Sequence, residues 1–322
     1  MDVNTIEYTA PGKIILFGEH AVVYKHPAIA AAINLRAKCS IYAKSKLPSI
    51  LSVPDLFPQK SFELDYSDFP AEISALKFII DSFNKETKPE KSFKAEISSQ
   101  IPPSVGLGSS AAVSVSLIAS LTEFFDTKLN LNNIRELAHE SEKITHGFPS
   151  GIDTAVSTYG GGIIFNEGKI ERIPIKLSSA HLVVINSLIA RNTKDLVEKV
   201  RNLHIQDSDF VEGIFNDING IVEDAKVALK KKDLNKIGEL MSLNQILLNK
   251  LGVSHKIINE IIEILEKNKA LGSKLTGAGG GGCVISIFDD YNKARNILDI
   301  MNEKGFRAFI SNFSKEGVKN EY

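Results

Sequence analysis

A glycine- and serine-rich segment, residues 102–112, contains residue types suited to binding phosphate. Its core, Gly106-Leu107-Gly108-Ser109-Ser110, stands between an alternating strand pattern at 93–101 and an apolar helical pattern at 111–125. Glycine lets backbone amides approach a ligand closely, and a helix start presents unpaired N–H groups with a partial positive charge. These features predict an anion site for a di- or triphosphate, with serine hydroxyls for phosphate or Mg²⁺. From the residues alone, a plain strand–loop–helix turn capped by serine is equally expected.

Two other nucleotide motifs fit this segment poorly. Gly106, Gly108 and Ala111 have the spacing of the dinucleotide fingerprint, but two prolines separate the loop from its strand. Where that fingerprint has an acid ending a second strand, the chain is still leaving a helix at Glu123 or Asp126. The sequence also lacks the glycine–lysine pattern of a P-loop.

Two carboxylates in the segment 142–153 are candidates for metal binding and proton transfer. Glu142 lies at the edge of the apolar face of a helix predicted over 130–146, so a half-buried carboxylate is expected there. Near phosphate, such a group is a natural Mg²⁺ ligand. Asp153 follows a Pro149-Ser150-Gly151 turn, and from the residues alone it could simply cap a short helix.

Two further segments carry glycine or charge at notable positions. Five of the six residues at 277–282 are glycine, directly after Lys274-Leu275-Thr276 and before an apolar strand at 283–288. Ordering so many glycines costs much conformational entropy, so the run predicts a backbone that lies against a ligand or another backbone. A flexible linker is the alternative. The segment 11–24 places Lys13, Glu19 and His20 around an apolar strand, where they could also be solvated rim or turn residues.

The elements that must position these residues are mixed strands and helices in both halves of the chain, which predicts an α/β or α+β fold. Glycine and proline residues between apolar stretches predict four short strands in residues 5–45, at 6–10, 13–17, 28–33 and 39–43. Asparagine at 130, 132 or 133 could cap the helix ending near Gly147. Helices are predicted at 70–84, 195–203, 208–230, 234–251, 254–268 and 291–304, and strands at 181–187 and 308–312.

Composition excludes several classes of protein. The 322 residues suggest two domains, and 38 Lys plus Arg against 39 Asp plus Glu argue against a basic nucleic-acid binder. No apolar run approaches the ~20 residues of a membrane span, and the N-terminus does not resemble a signal peptide. Cys39 and Cys283 provide no disulfide framework, and the seven histidines form no zinc-site pair, so a reducing cytoplasm is expected.

In chain order, segments 11–24, 102–112 and 274–282 resemble the three motifs of the GHMP small-molecule kinases, which include galactokinase, homoserine kinase, mevalonate kinase and phosphomevalonate kinase. Segment 11–24 and the run 146–158 are similar to the mevalonate kinase branch, as is Arg191-Asn192-Thr193. Galactokinases have Thr-Asp where this chain has Ala21-Val22.

The resemblance implies an α+β, two-domain GHMP kinase fold with the active site between the domains. Residues 1–180 would form a nucleotide-binding, ribosomal-S5-like domain with a left-handed βαβ unit, against the usual right-handed rule. Residues 181–322 would form a ferredoxin-like α/β domain enlarged by helices.

The resemblance also implies roles for individual residues. Asp153 and Lys13 would be catalytic, Glu142 and Ser110 would hold Mg²⁺, and Glu19, His20 and Thr193 would bind the substrate. The phosphates of ATP would lie on Pro103, Ser104, Val105, Gly106, Leu107, Gly108, Ser109, Ser110 and Ala111. The supporting glycine loop would be Thr276, Gly277, Gly279 and Gly280.

The activity implied is phosphorylation of the 5-hydroxyl of mevalonate by ATP with Mg²⁺, in isoprenoid biosynthesis. A kinase for a related alcohol such as phosphomevalonate is the alternative, and a non-catalytic ligand sensor on the same fold is the remote one. We expect small-molecule substrates, neither nucleic acid nor membrane as partner, a cytoplasmic location, and an oligomeric state that leaves a homodimer possible.

Overall fold

The computed structural model describes residues 5–44, 48–64, 69–86, 91–146, 149–177, 179–190 and 192–321. Its strands are β1 (Ile6–Phe17), β2 (Ala28–Lys44), β3 (Ile50–Ser52), β4 (Ser61–Glu63), β5 (Ser92–Ser99), β6 (Gly162–Asn166), β7 (Lys169–Ile173), β8 (His181–Asn186), β9 (Gly272–Thr276), β10 (Cys283–Phe288), β11 (Arg307–Ser311) and β12 (Lys319–Asn320). Its helices are α1 (Ser74–Glu86), α2 (Ser109–Phe124), α3 (Leu131–His146), α4 (Ile152–Tyr159), α5 (Thr193–Gln206), α6 (Ser208–Lys231), α7 (Leu234–Lys250), α8 (Lys256–Lys267) and α9 (Tyr291–Glu303), with 3₁₀ turns at Ala21–Tyr24 and Ala71–Ile73.

The first sheet is built around the long strand β2. Its strand order is β12-β1-β2-β5-β3-β4, and β6 with β7 joins beside the first part of β2. Strand β1 pairs with both parts of β2, whereas β6 pairs with the first part and β5 with the second. On one side β2 therefore pairs with β1 along most of its length, and on the other side its partner changes from β6 to β5.

The prediction of four short strands in this region is wrong, because the chain forms two long ones. The register between β1 and β2 shifts between Pro11 and Lys13 and again between Ile15 and Phe17. An extra residue taken up in a bulge bends a strand without ending it, so Pro11-Gly12 marks a bend and not a turn.

The apolar helix α2 lies across this sheet and forms the centre of the first half of the molecule. Its residues from Ala111 to Leu121 are almost all buried, as expected for a helix that is apolar on every side. It packs on β1 and β2 on one side and on α1, α3 and α4 on the other. Asn130 caps α3, since its Oδ1 accepts from the N–H of Asn133 at 3.1 Å. Gly147 lies outside the described residues.

The second sheet has the ferredoxin-like strand order. Strands β11-β8-β10-β9 are all antiparallel, in the chain order strand, helices, strand, strand, helix, strand. Helices α5 to α8 all occur in the first connection and enlarge it. None of the helices in the described ranges is both long and apolar enough to cross a membrane.

The C-terminal part of the chain returns to the first sheet. Strand β12, near the C-terminus, pairs with β1, and Arg36 of β2 donates to the carbonyl of Gly317 at 2.5 Å. The division into 1–180 and 181–322 therefore stays a prediction. In the first sheet β3 and β5 run parallel with α1 in their connection, and the left hand of the βαβ unit also stays a prediction.

Helix α7 and strand β9 approach so closely that glycine is required on both. A Cβ on Gly238 would lie 2.3 Å from the carbonyl oxygen of Leu271, and a Cβ on Gly272 would lie 1.9 Å from that of Gly238. We expect Gly238→Ala to destabilise the protein by about 1–3 kcal/mol, since backbone must move to admit the methyl group. Chemical denaturation of the purified variant measures this.

Gly220→Ala is the matched control, because Gly220 lies in the neighbouring helix α6 and its added Cβ would meet nothing within 4 Å. Alanine is a better helix former than glycine by about 1 kcal/mol, so this variant should be as stable as the wild type or more stable. Equal stability of the two variants would contradict the close approach of α7 and β9.

Candidate active site

Lys13 and Asp153 form an ion pair at the centre of the first half of the molecule. The Nζ of Lys13, on β1, lies 3.0 Å from Oδ1 of Asp153, on α4, and the lysine side chain is only 5% exposed whereas the aspartate is 30% exposed. One partner is therefore held inside the protein and the other can be reached from solvent. Such a pair favours an ionised carboxylate that is free to accept a proton.

Helix α4 brings Asp153 to this position. The helix begins after Gly151, which has a φ of 85° and provides no side-chain cap, and Asp153 lies in its first turn. The Oγ of Ser157 donates to the carbonyl of Pro11 at 2.9 Å and fixes the helix on β1. The alternative reading of Asp153 as a helix cap is wrong, because its carboxylate faces Lys13.

The predicted phosphate loop lies directly beside Lys13. The N–H of Lys13 donates to the carbonyl of Leu107 at 2.8 Å. Gly108, with a φ of 73°, precedes α2, and a Cβ there would lie 2.9 Å from Cγ of Lys13. The missing side chain at 108 thus lets the loop and the lysine pack together.

The residues of the loop differ in burial. Val105, Leu107 and Gly108 are buried, whereas Pro103 and Ser104 are exposed. The N-cap of α2 is Gly108 and not a serine, so Ser109, Ser110 and Ala111 form the first turn, with N–H groups at the helix start.

The two serines of this turn differ. The hydroxyl of Ser109 lies 3.4 Å from that of Ser99 and 3.5 Å from the carbonyl of Ile101, on the strand side of the loop. No described hydrogen bond engages the hydroxyl of Ser110.

Glu142 is buried more deeply than the predicted half-buried position, with only 4% of its surface exposed. Burial and, second, the negative charge of Asp153 raise its pKa, Lys13 lowers it, and the net result is a pKa of about 8. Glu142, Asp153 and Lys13 therefore belong to one electrostatic cluster, in which two acids share one cation.

Glu19 has a partner that the sequence analysis missed. Its carboxylate forms an ion pair with Lys274 of β9, and both side chains are fully buried. Burial raises the pKa of Glu19, while Lys274 and, more weakly, Lys13 lower it. Its Oε2 has no hydrogen-bond partner among the described residues, so the prediction that Glu19 hydrogen-bonds a substrate stays a prediction.

His20 is held from the second half of the molecule. Its Nε2 lies 2.8 Å from the carbonyl oxygen of Ala278, and the residue is 5% exposed. Because a carbonyl only accepts, Nε2 carries the proton and Nδ1 is left as an acceptor. Burial lowers the pKa of His20, although the bond to Ala278 counteracts this, and a neutral ring follows.

The glycine loop packs on the second half and on the end of β1. The hydroxyl of Thr276 accepts from the N–H of Ile15 at 2.8 Å. A Cβ on Gly279 would lie 2.1 Å from the carbonyl of Val253, and one on Gly280 would lie 2.8 Å from Leu196 of α5. Close backbone packing explains the run at 277–282, in place of a flexible linker.

Thr193, also a predicted site residue, belongs to the second half of the molecule. It is exposed at the start of α5, where Asn192 caps the helix. Among the described residues, no hydrogen bond or ion pair joins Thr193 to Lys13 or Asp153. Arg191 lies outside the described residues, so its position adds nothing.

Comparison with known proteins identifies the family of this chain. The family descriptions "GHMP kinases N terminal domain" and "GHMP kinases C terminal" match residues 73–161 and 225–307. A protein of Thermococcus sibiricus named mevalonate kinase is 34% identical, with 97% of each chain covered. The crystal structure of the Methanococcus jannaschii mevalonate kinase is 30% identical, covers 97% of this chain and 99% of its own, and has a TM-score of 0.84. A structure of the L. major mevalonate kinase in complex with R-mevalonate is 27% identical, covers 96% of both chains, and has a TM-score of 0.82.

The chain therefore belongs to the GHMP kinase family of ATP-dependent kinases. Relatives matched over nearly its whole length carry the name mevalonate kinase. The resemblance inferred from the three motifs and the two-domain α+β fold are thereby confirmed.

Proposed function

We propose that this protein transfers the γ-phosphoryl group of ATP to the 5-hydroxyl of mevalonate, giving 5-phosphomevalonate and ADP for isoprenoid biosynthesis. The observation that carries the proposal is the Lys13–Asp153 pair beside the glycine–serine loop. It places a proton acceptor and a cation next to a predicted phosphate site. The relatives named mevalonate kinase and the solved complex with R-mevalonate support this choice of alcohol.

Asp153 accepts the hydroxyl proton as the alcohol oxygen attacks the γ-phosphorus. Its partly exposed carboxylate can meet the alcohol, while buried Lys13 keeps that carboxylate ionised. The same ammonium, close to the alcohol oxygen, favours the developing alkoxide. The bond from the γ-phosphorus to the bridging oxygen breaks, and ADP leaves with that oxygen. General-base catalysis of this kind contributes ~10²–10⁴-fold.

The phosphates are held by backbone, since phosphoryl transfer depends mainly on positioning and charge neutralisation. The amides of 106–110 and the start of α2 provide N–H donors beside Lys13. The 16-residue helix α2 adds the positive end of its dipole. The glycine loop 277–282 closes the cleft from the second half.

The residues near Asp153 fit a magnesium ion that is bound together with nucleotide. Burial and the charge of Asp153 raise the pKa of Glu142, and Lys13 offsets them only in part, so a cation bound beside Glu142 would favour its ionised form. In the described part of the chain, no group of three His, Cys, Asp or Glu residues could hold a metal. Glu142 and Ser110 would be two ligands of Mg²⁺, with phosphate oxygens and water as the others. When bound, the ion neutralises charge on the phosphates.

Glu142→Gln should raise the Mg²⁺ concentration needed for half-maximal activity, because one carboxylate ligand is lost. Ser110→Ala should have a smaller effect, since water can replace a hydroxyl ligand. Titration of activity with MgCl₂ at saturating ATP measures both. An unchanged metal titration for Glu142→Gln would refute the ligand role.

In the absence of metal, Glu142→Gln also tests the raised pKa of Glu142. The pKa of Glu142 rises from 4.5 to about 8 on folding, so its protonated form stabilises the native state. That contribution is fully present below pH 4.5 and is lost as the pH rises through about 8. In EDTA, the melting temperature of Glu142→Gln should therefore exceed that of the wild type increasingly as the pH rises.

On the substrate side, Glu19 and His20 would face the body of the alcohol, and Thr193 would orient alcohol or γ-phosphate. The free acceptor Nδ1 of His20 can bind a hydroxyl hydrogen.

The related alternative, phosphomevalonate, would need a basic pocket for its phosphate, for which Lys194 is the candidate among the described residues. A cytoplasmic location remains part of the proposal.

The test is release of ADP by purified protein with Mg²⁺ and ATP. Mevalonate is compared with phosphomevalonate, homoserine and galactose. Saturable release with mevalonate alone supports the proposal. Turnover of a different alcohol would overturn the substrate and keep the mechanism. Binding of ATP with no turnover of any alcohol would favour a ligand sensor.

A further inference from the structure

Lys274 is a fully buried lysine that takes no part in the mechanism proposed above. It lies in β9, opposite Ile285 of β10, and its side chain has no exposed surface. Its ammonium donates to the carboxylate of Glu19 and to the carbonyl of Leu275, the latter at 2.7 Å. Burial of an ammonium is costly unless it is paired, so the position of Lys274 depends on Glu19.

This ion pair joins the two sheets where β1 ends. Glu19 follows Gly18 directly after β1 of the first sheet, whereas Lys274 belongs to β9 of the second. The neighbouring bonds are between backbone groups of one half and groups of the other. They join Ile15 to Thr276, Gly18 to Asn244 and His20 to Ala278. Glu19–Lys274 is the only charged link within this set, and the segment 18–20 is held from the second half.

The pair is also connected electrostatically to the reacting groups. Lys13 lies close enough to Glu19 to lower its pKa, and Lys13 is the ion-pair partner of Asp153. Charges therefore alternate from Lys274 to Glu19, Lys13 and Asp153. Without Lys274, the buried carboxylate of Glu19 would be left with Lys13 as its cation, in competition with Asp153.

We propose that Lys274 is a positioning residue for the reaction, which fixes Glu19 and His20 at the substrate side of the cleft and leaves Lys13 to Asp153. This inference rests on the proposed function and deepens it. Lys274 touches neither the alcohol nor the phosphates, so its effect passes through Glu19.

The test is Lys274→Met, which keeps most of the length of the side chain and removes its charge. We expect kcat/KM for the alcohol to fall about 10²-fold, with a higher KM for the alcohol, because misplacement by about 1 Å has effects of this size. The KM for ATP should stay as in the wild type. A merely structural role would lower the folded fraction, which reduces the apparent kcat and leaves the KM of the alcohol unchanged.

Ser273→Ala is the matched control. Ser273 is the neighbouring buried residue of β9, and its hydroxyl bonds to Ser286 at 2.9 Å within the second sheet. The Ser273→Ala variant should be somewhat less stable than the wild type and should have the same KM for the alcohol. A folded Lys274→Met with the KM values of the wild type would overturn the inference, as would an equal rise in both KM values.

If Lys274→Met does not fold, Glu19→Gln and the double variant E19Q/K274M decide, since the double variant leaves no unpaired charge. Both should have the same kcat/KM for the alcohol if Lys274 acts through Glu19. A gap of about tenfold or more between them would overturn the inference. The wild type is assayed first, and its failure to phosphorylate any alcohol would contradict the proposed function and not the role of Lys274.

Discussion

Asp153→Asn is expected to lower turnover by ~10²–10⁴-fold while ATP still binds. Asparagine has nearly the shape of aspartate, but its amide cannot accept the hydroxyl proton. The helix α4 that carries residue 153 is fixed by Gly151 and by Ser157, and neither depends on the carboxylate. The phosphate loop, which is fixed by Leu107 and Gly108, should likewise be unaffected.

Two measurements together check this prediction. Single-turnover and steady-state ADP release give the loss in kcat, and isothermal titration with ATP gives the retained affinity. Asp209→Asn is the control, because Asp209 also lies in the first turn of a helix, α6, but is exposed. Near-normal turnover of Asp153→Asn would remove Asp153 as the base.

Lys13→Met should have the second-largest effect, a loss of about 10²–10³-fold in kcat. Its ammonium is the cation shared by Asp153 and Glu142, and it counteracts the raised pKa of Glu142. Without it, nothing offsets the burial of Glu142 and the charge of Asp153, so the pKa of Glu142 rises further, and the alkoxide loses its nearest positive charge. The methionine side chain keeps the packing against Gly108, so the fold should persist.

The pH dependence separates this effect from simple misfolding. Because Lys13 lowers the pKa of Glu142, that pKa should rise further in Lys13→Met, and the acid limb of the kcat profile should move to higher pH with it, whereas loss of folded protein would scale the whole profile. Lys94→Met is the control, since Lys94 lies in β5 of the same sheet and pairs with Glu96 at the surface. An unchanged pH profile with normal kcat would contradict the role of Lys13.

Much of the local structure could be read from the sequence. The helices α2, α6, α7 and α9 and the strand β10 lie within a few residues of their predicted bounds, and β10 matches at both ends. Their signals are contained within one element, as apolar periodicity, a cap or a glycine stop. The short strands β3, β4, β7 and β12 were missed, because each is specified mainly by the strand it pairs with.

The candidate site divides in the same way. Its glycine loops, serines, acids and lysine could be found from the sequence because the three motifs resemble those of a kinase family. Their order along the chain carried the resemblance. The structure then showed that Lys13, Asp153 and Gly108 meet, which no feature of the separate motifs specifies.

The order and spacing of residue types along the chain indicate which residues can do chemistry and which elements carry them. The burial of Glu142 beside Asp153 and the pairing of Glu19 with Lys274, 255 positions away, arise only when distant segments pack together. This is because desolvation and charge pairing depend on what packs around a group. Neighbours along the chain determine periodicity and caps, whereas neighbours in space determine which carboxylate is neutral, paired or free to accept a proton.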